Sequence, residues 1–111
     1  MERNAEYRHL YHAEMDERDG VRVTVVLERW EADIAGAEVR YVLDVRATID
    51  GDLLTDENGD PLSRLEVLDY GPEEEYRAIH RAVDIFRYAG EMVDVELRMR
   101  HPERQEDDIP F

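Results

Sequence analysis

The chain is predicted to be a small α+β protein: an antiparallel sheet of four or five strands with one helix packed on one face. Three observations predict this. Residues 21–30 and 39–49 alternate apolar and polar side chains with the period of a half-buried strand. A segment beginning at Gly71 combines helix-start chemistry with apolar residues at helical spacing. The length, 111 residues, suits a single core.

Residues 5–16 fit two patterns. Tyr7, Leu10, Tyr11 and Met15 make a helical stripe behind Asn4 as N-cap, whereas Tyr7, His9, Tyr11, Ala13 and Met15 alternate. The strand is preferred, because Asp16-Glu17-Arg18-Asp19-Gly20 then serves as a hairpin loop closed by an Asp-Gly step. In 21–30, Val21, Val23, Val25 and Leu27 share a face, and residues 31–36 read as a loop with Gly36 free to take positive φ. Val39, Tyr41, Leu43, Val45, Ala47 and Ile49 mark the next core face. Residues 50–61 are turn chemistry enclosing Leu53 and Leu54, and 62–68 make a short strand or extended piece.

Gly71-Pro72-Glu73-Glu74-Glu75 starts a helix, since proline suits the first turn and carboxylates face the positive end of the dipole. Ile79, Val83 and Phe86, flanked by Tyr76, Ala82 and Ile85, form its apolar stripe, and Gly90 is expected to end it. Val93, Val95, Leu97 and Met99 alternate with Asp94, Glu96 and Arg98, which predicts a last strand and the order β-β-β-(β)-α-β. A single domain over residues 1–101 and a polar, mobile tail over 102–111 are expected.

Val, Leu, Ile and Phe supply 27 of the 111 residues, above the roughly 20% below which a highly charged chain stays disordered. The net charge is −15, from 29 acids and 14 bases, which argues against direct nucleic-acid binding. All the bases are arginine. The absence of lysine excludes Schiff-base and P-loop chemistry, and the absence of cysteine excludes disulfides and thiolate sites. No run approaches the ~20 apolar residues of a membrane span. Met1-Glu2-Arg3-Asn4 lacks the apolar core of a signal peptide, so a cytoplasmic protein, or one inside a virus particle, is expected.

Such acidity fits a salt-adapted or GC-rich source, where carboxylates keep a compact particle hydrated. The alternative is imitation of nucleic acid by Asp50, Asp52, Asp56, Glu57, Asp60, Glu106, Asp107 and Asp108. Interspersed signs at Arg40, Asp44, Arg46 and Asp50 favour solvation.

Asp56, Asn58 and Asp60 have the opening spacing of a calcium loop, but Pro61 stands where glycine is required and Glu66 falls one place early. His9 and His12 point to opposite faces of a regular strand, so they do not share a metal. His80 lies near Glu75 and Asp84 at helical spacing, the setting of an ordinary salt-bridged histidine and a minor candidate for acid–base chemistry. Ser63, the only serine, does not sit in a nucleophile elbow. No metal and no cofactor are expected.

On the face opposite the core, Val26, Trp30 and Val42 are apolar among Arg22, Thr24, Glu28, Arg40 and Arg46, and Leu10 joins them if 5–16 is a strand. Tryptophan beside arginine has interface composition. The sequence therefore points to a non-enzymatic protein-interaction module: a subunit, adaptor or assembly component, with a viral source among the origins that fit. Its partner is another protein or a further copy of itself, through this face or a sheet edge. An acidic inhibitor of a nucleic-acid-binding protein is the alternative.

Overall fold

A computed structural model describes residues 5–16, 20–32 and 39–100. The strands are β1 (Ala5–Asp16), β2 (Val21–Ala32), β3 (Val39–Ile49), β4 (Asp52–Leu53) and β5 (Arg64–Leu68). A 3-10 turn, Pro72–Glu74, leads into α1 (Glu75–Arg100). All strand pairs are antiparallel, with β1 on β2, β2 on β3, and β4 and β5 sharing the far side of β3. The α+β class read from the alternations is the observed one.

The core lies between the sheet and α1. Val21, Val23, Val25, Leu27, Tyr41, Leu43, Val45, Ala47 and Ile49 are sealed against Ala78, Ala82, Ile85, Ala89 and Val93 of the helix. Alanines on the helix and Ala47 on the sheet let the two layers approach closely. The β3–β4 turn has positive φ at both central residues, Asp50 (54°) and Gly51 (85°), the pairing that matches strand twist in a two-residue hairpin.

Two expectations about the helix are corrected. Gly90 does not end it, and residues 93–99 are not a strand: α1 runs unbroken for 26 residues. That is ~39 Å of helix, the length of the 12-residue β2, at ~40 Å. A helix stopped at Gly90 would end beside Met15, the register partner of Val23, and would leave the end of the sheet at Val21 and Ile49 without the last turns of α1. The buried stripe Ile85, Ala89, Val93 continues at helical spacing, while Val95 and Met99 of the apparent alternation are exposed. Arg100 ties the last turn back to Glu96 (2.9 Å), Asp52 (3.2 Å) and Asp50 (3.5 Å).

Residues 5–16 form a strand, with an irregularity the alternation did not show. His9 pairs with Glu28 and Tyr11 with Leu27, so Leu10 is the extra residue of a β-bulge. The bulge turns Leu10 toward the core, against which it packs. It also reverses the parity of the later β1 residues, so His9 and His12 share the outer face rather than pointing to opposite ones. The expected loop glycine Gly36 and the tail 102–111 lie outside the described residues.

At the other end, Tyr41 fixes the helix start. Its buried hydroxyl donates to the carbonyls of Gly71 (3.1 Å) and Pro72 (3.4 Å). Arg29 Nη1 reaches Glu75 (2.9 Å), the Pro72 carbonyl (3.2 Å) and the Tyr41 hydroxyl (3.3 Å), and its Nε reaches Glu31 (3.1 Å). Burial pushes the Tyr41 phenol above its ordinary range.

Candidate interaction surface

The outer face of the sheet is set by strand parity. Opposite the sealed core positions, β2 presents Arg22, Thr24, Val26, Glu28 and Trp30, and β3 presents Arg40, Val42, Asp44, Arg46 and Thr48. Register adds Tyr7, His9, His12 and Glu14 from β1, with Val67 beside Val42 and Leu65 beside Asp44 on β5. Among the described residues, no element packs over this face.

Its apolar content is concentrated at one end and along one margin. Tyr7 and Trp30, directly paired across strands, stack with ring centroids 5.0 Å apart and planes inclined by 20°. The pair remains 57% and 40% exposed, and the indole N–H donates to Glu28 (3.1 Å). Val26 and Val42 are half-buried between these rings and β5, where Leu65 and Val67 are 68% and 53% exposed. Charges of both signs are interspersed: Arg46 lies beside Asp44 at 3.5 Å, His9 meets Glu28 at 3.1 Å and His12 meets Glu14 at 3.3 Å.

Of the four residues singled out from the sequence, Val26, Trp30 and Val42 share this face and Leu10 does not. The correction follows from the bulge. Tyr7, Leu65 and Val67 were missed, although pairing the 62–68 strand with 39–49 would have placed Leu65 and Val67 beside Val42.

The acidic loop is occupied with its own structure. Asp56 Oδ1 accepts from the backbone N–H groups of Asn58 (2.8 Å) and Asp60 (3.0 Å), an Asx-type turn. Asp50 and Asp52 hold Arg100, and Glu57 contacts the Tyr88 hydroxyl at 3.4 Å. Glu106, Asp107 and Asp108 lie outside the described residues. Ser63 Oγ accepts from the Ala47 N–H (2.8 Å) and donates to its carbonyl (3.2 Å), standing in for a strand residue.

His80 and Asp84 line an open groove of about 400 Å³ with Tyr70, Tyr76, Arg77 and Arg81. His80 Nδ1 is 3.6 Å from Asp84, beyond hydrogen-bond reach, and its side chain is 81% exposed. Among the described residues no group of three metal-ligating side chains converges, and no helix is long and apolar enough to cross a membrane. No family model, curated protein or solved structure matches the chain.

Proposed function

We propose that the chain is a non-enzymatic protein-interaction module that docks another protein on the outer face of its sheet. The observation that carries this is the stacked, solvent-facing Tyr7–Trp30 pair, continued by Val42 and Val67 on a face that no described element covers. Large aromatic rings left in water are what binding hot spots are made of. About eight residues from each of β1, β2 and β3 and the five of β5, at ~4.8 Å strand spacing and ~3.3 Å per residue, span roughly 500 Å² per partner. The resulting ~1,000 Å² in total lies at the lower end of specific interfaces.

The partner that fits is a protein surface with an apolar centre and a rim of both charge signs. In this reading the acids elsewhere hydrate the particle, as suits a saline or GC-rich background, and recognition is apolar. Nucleic-acid imitation gains nothing from a loop whose carboxylates already hold Arg100 and their own backbone.

The test is association measured by light scattering and by titration with co-purifying proteins, with Trp30→Ala and Val42→Glu as probes. Both variants are expected to remain folded and to lose association. Binding should hold or tighten as salt rises, since apolar contact is not screened. Steep loss with salt, or unchanged association in both variants, would overturn the proposal.

A further inference from the structure

We propose that Asn58 is a modification site: it loses ammonia spontaneously and becomes a mixture of isoaspartate and aspartate, at a rate set by the opening of the hairpin that carries it.

The local order makes the reaction available. Asn58 and Gly59 are both exposed, and no atom beyond the chain neighbours lies within 4 Å of a Cβ built on Gly59. With no side chain on the following residue, nothing hinders the approach of its main-chain nitrogen to the asparagine amide. The Gly59 nitrogen gives up its proton and attacks Cγ of Asn58. A new N–C bond closes a five-membered succinimide, while the bond from Cγ to the side-chain nitrogen breaks and ammonia leaves with the proton. Water then adds to one of the two ring carbonyls. Addition at Cγ gives aspartate, and addition at the main-chain carbon gives isoaspartate. One water is consumed and one ammonia released, with no change of oxidation state.

The fold holds this reaction back. Residues 55–61 form a small hairpin, in which Thr55 bridges Pro61 and the Asp56 N–H donates to the Asp60 carbonyl (2.8 Å). The Gly59 N–H donates to the Asp56 carbonyl (3.0 Å), closing a turn over residues 56–59. Neither Glu57 nor Asn58 has positive φ, so the turn is type I, and Gly59 follows it in the left-handed region at 87°. Asn58 therefore has the ψ of about 0° that the third residue of such a turn takes. Ring closure requires the Gly59 nitrogen to eclipse Cβ of Asn58, roughly 120° of rotation from that value. The rotation pulls the Gly59 N–H off Asp56. The Asp56 carboxylate adds to the restraint by accepting from the N–H groups of Asn58 (2.8 Å) and Asp60 (3.0 Å). Tyr88 of α1 holds the loop from outside, its hydroxyl accepting from the Glu57 N–H (3.1 Å). Exposed hydrogen bonds of this kind open locally, without global unfolding. Isoaspartate lengthens the main chain by one carbon, so the original turn does not re-form and the conversion is one-way.

The experiment holds the full chain folded at mildly alkaline pH and follows it by peptide mapping with mass spectrometry and an isoaspartate assay. The peptide spanning residues 47–64, whose only asparagine is Asn58, is expected to gain the mass difference between amide and acid and to contain both isomers. The rate should rise with pH, because the attacking nitrogen must lose its proton, and should be higher in urea-unfolded chain. Asp56→Ala removes two hydrogen bonds from the hairpin and should speed conversion at least about fivefold. Asp56→Asn keeps an acceptor in the same place while losing the charge, so its rate should stay close to that of the wild type. Asn58 intact in the folded chain after the unfolded chain has converted, equal rates in folded and unfolded chain, or a rate unchanged by Asp56→Ala would overturn the proposal. Equal acceleration by Asp56→Asn and Asp56→Ala would also overturn it, by making charge rather than hairpin opening the control.

Discussion

Replacing Gly90 by alanine should stabilise the protein by about 1 kcal/mol, the difference between glycine and alanine in a helix interior. The structure allows the full gain. Gly90 lies well inside the 26-residue α1, and a Cβ built there meets Met15 Cε at 3.5 Å, an ordinary van der Waals distance. The added methyl also covers part of Met15, for a few tenths of a kcal/mol at most. With an unfolding entropy near 2.1 cal/mol/K per residue, a chain this long should gain about 4 °C in Tm. Urea and thermal unfolding followed by far-UV circular dichroism measure both quantities, and the urea m-value should not change. A neutral or destabilising outcome would refute the reasoning. Loss of stability in particular would mean that Gly90 has a left-handed backbone at a helix end, as the local amino-acid pattern suggests.

The same exchange should have the opposite sign in the β3–β4 turn: Gly51→Ala, at φ 85°, should cost about 1–2 kcal/mol in the same unfolding assays even though open space surrounds it. Tyr41→Phe should cost about 1 kcal/mol at neutral pH by removing the hydroxyl that donates to the Gly71 and Pro72 carbonyls, which keep the Glu74 N–H (2.9 Å) and Arg29 Nη1 (3.2 Å) as their other donors. The phenol's pKa is raised in the folded state, so its contribution is intact below the ordinary tyrosine value of about 10 and is lost as pH rises beyond it. Alkaline unfolding should therefore be shallower in Tyr41→Phe, and tyrosinate absorbance should lose a component that ionises above the ordinary tyrosine range when Tyr41 is replaced. Trp30→Ala should lower monomer stability by no more than about 1 kcal/mol, because the ring stacks on Tyr7 while largely exposed. A drop of several kcal/mol by urea unfolding would make Trp30 a core residue.

The alternations in 21–30 and 39–49 carried the fold because a strand with one buried face must place every second side chain in the core. No later packing event can reverse that without exposing the whole set. The outward positions of Val26, Trp30 and Val42 were legible for the same reason. The 93–99 segment shows where such reading stops. Val93, Val95, Leu97 and Met99 satisfy a strand's period, yet Ile85, Ala89 and Val93 satisfy a helix's, and nothing in the local pattern chooses between them.

The amino-acid order alone therefore determined the class of fold, the two central strands with their inner and outer faces, the helix start at Gly71–Glu75, and the acidity of the particle. Each depends on neighbours within a few residues. The tertiary structure decided the rest. The length of the sheet set how far α1 must run to cover Val21 and Ile49. Pairing with β2 placed the bulge at Leu10, which sent that side chain inward and brought His9 and His12 to one face. Attachment of β5 to β3 put Leu65 and Val67 beside Val42 and left their backbone groups at an edge. Those outcomes are set by contacts between residues distant in the chain, and such contacts exist only once the layers have met.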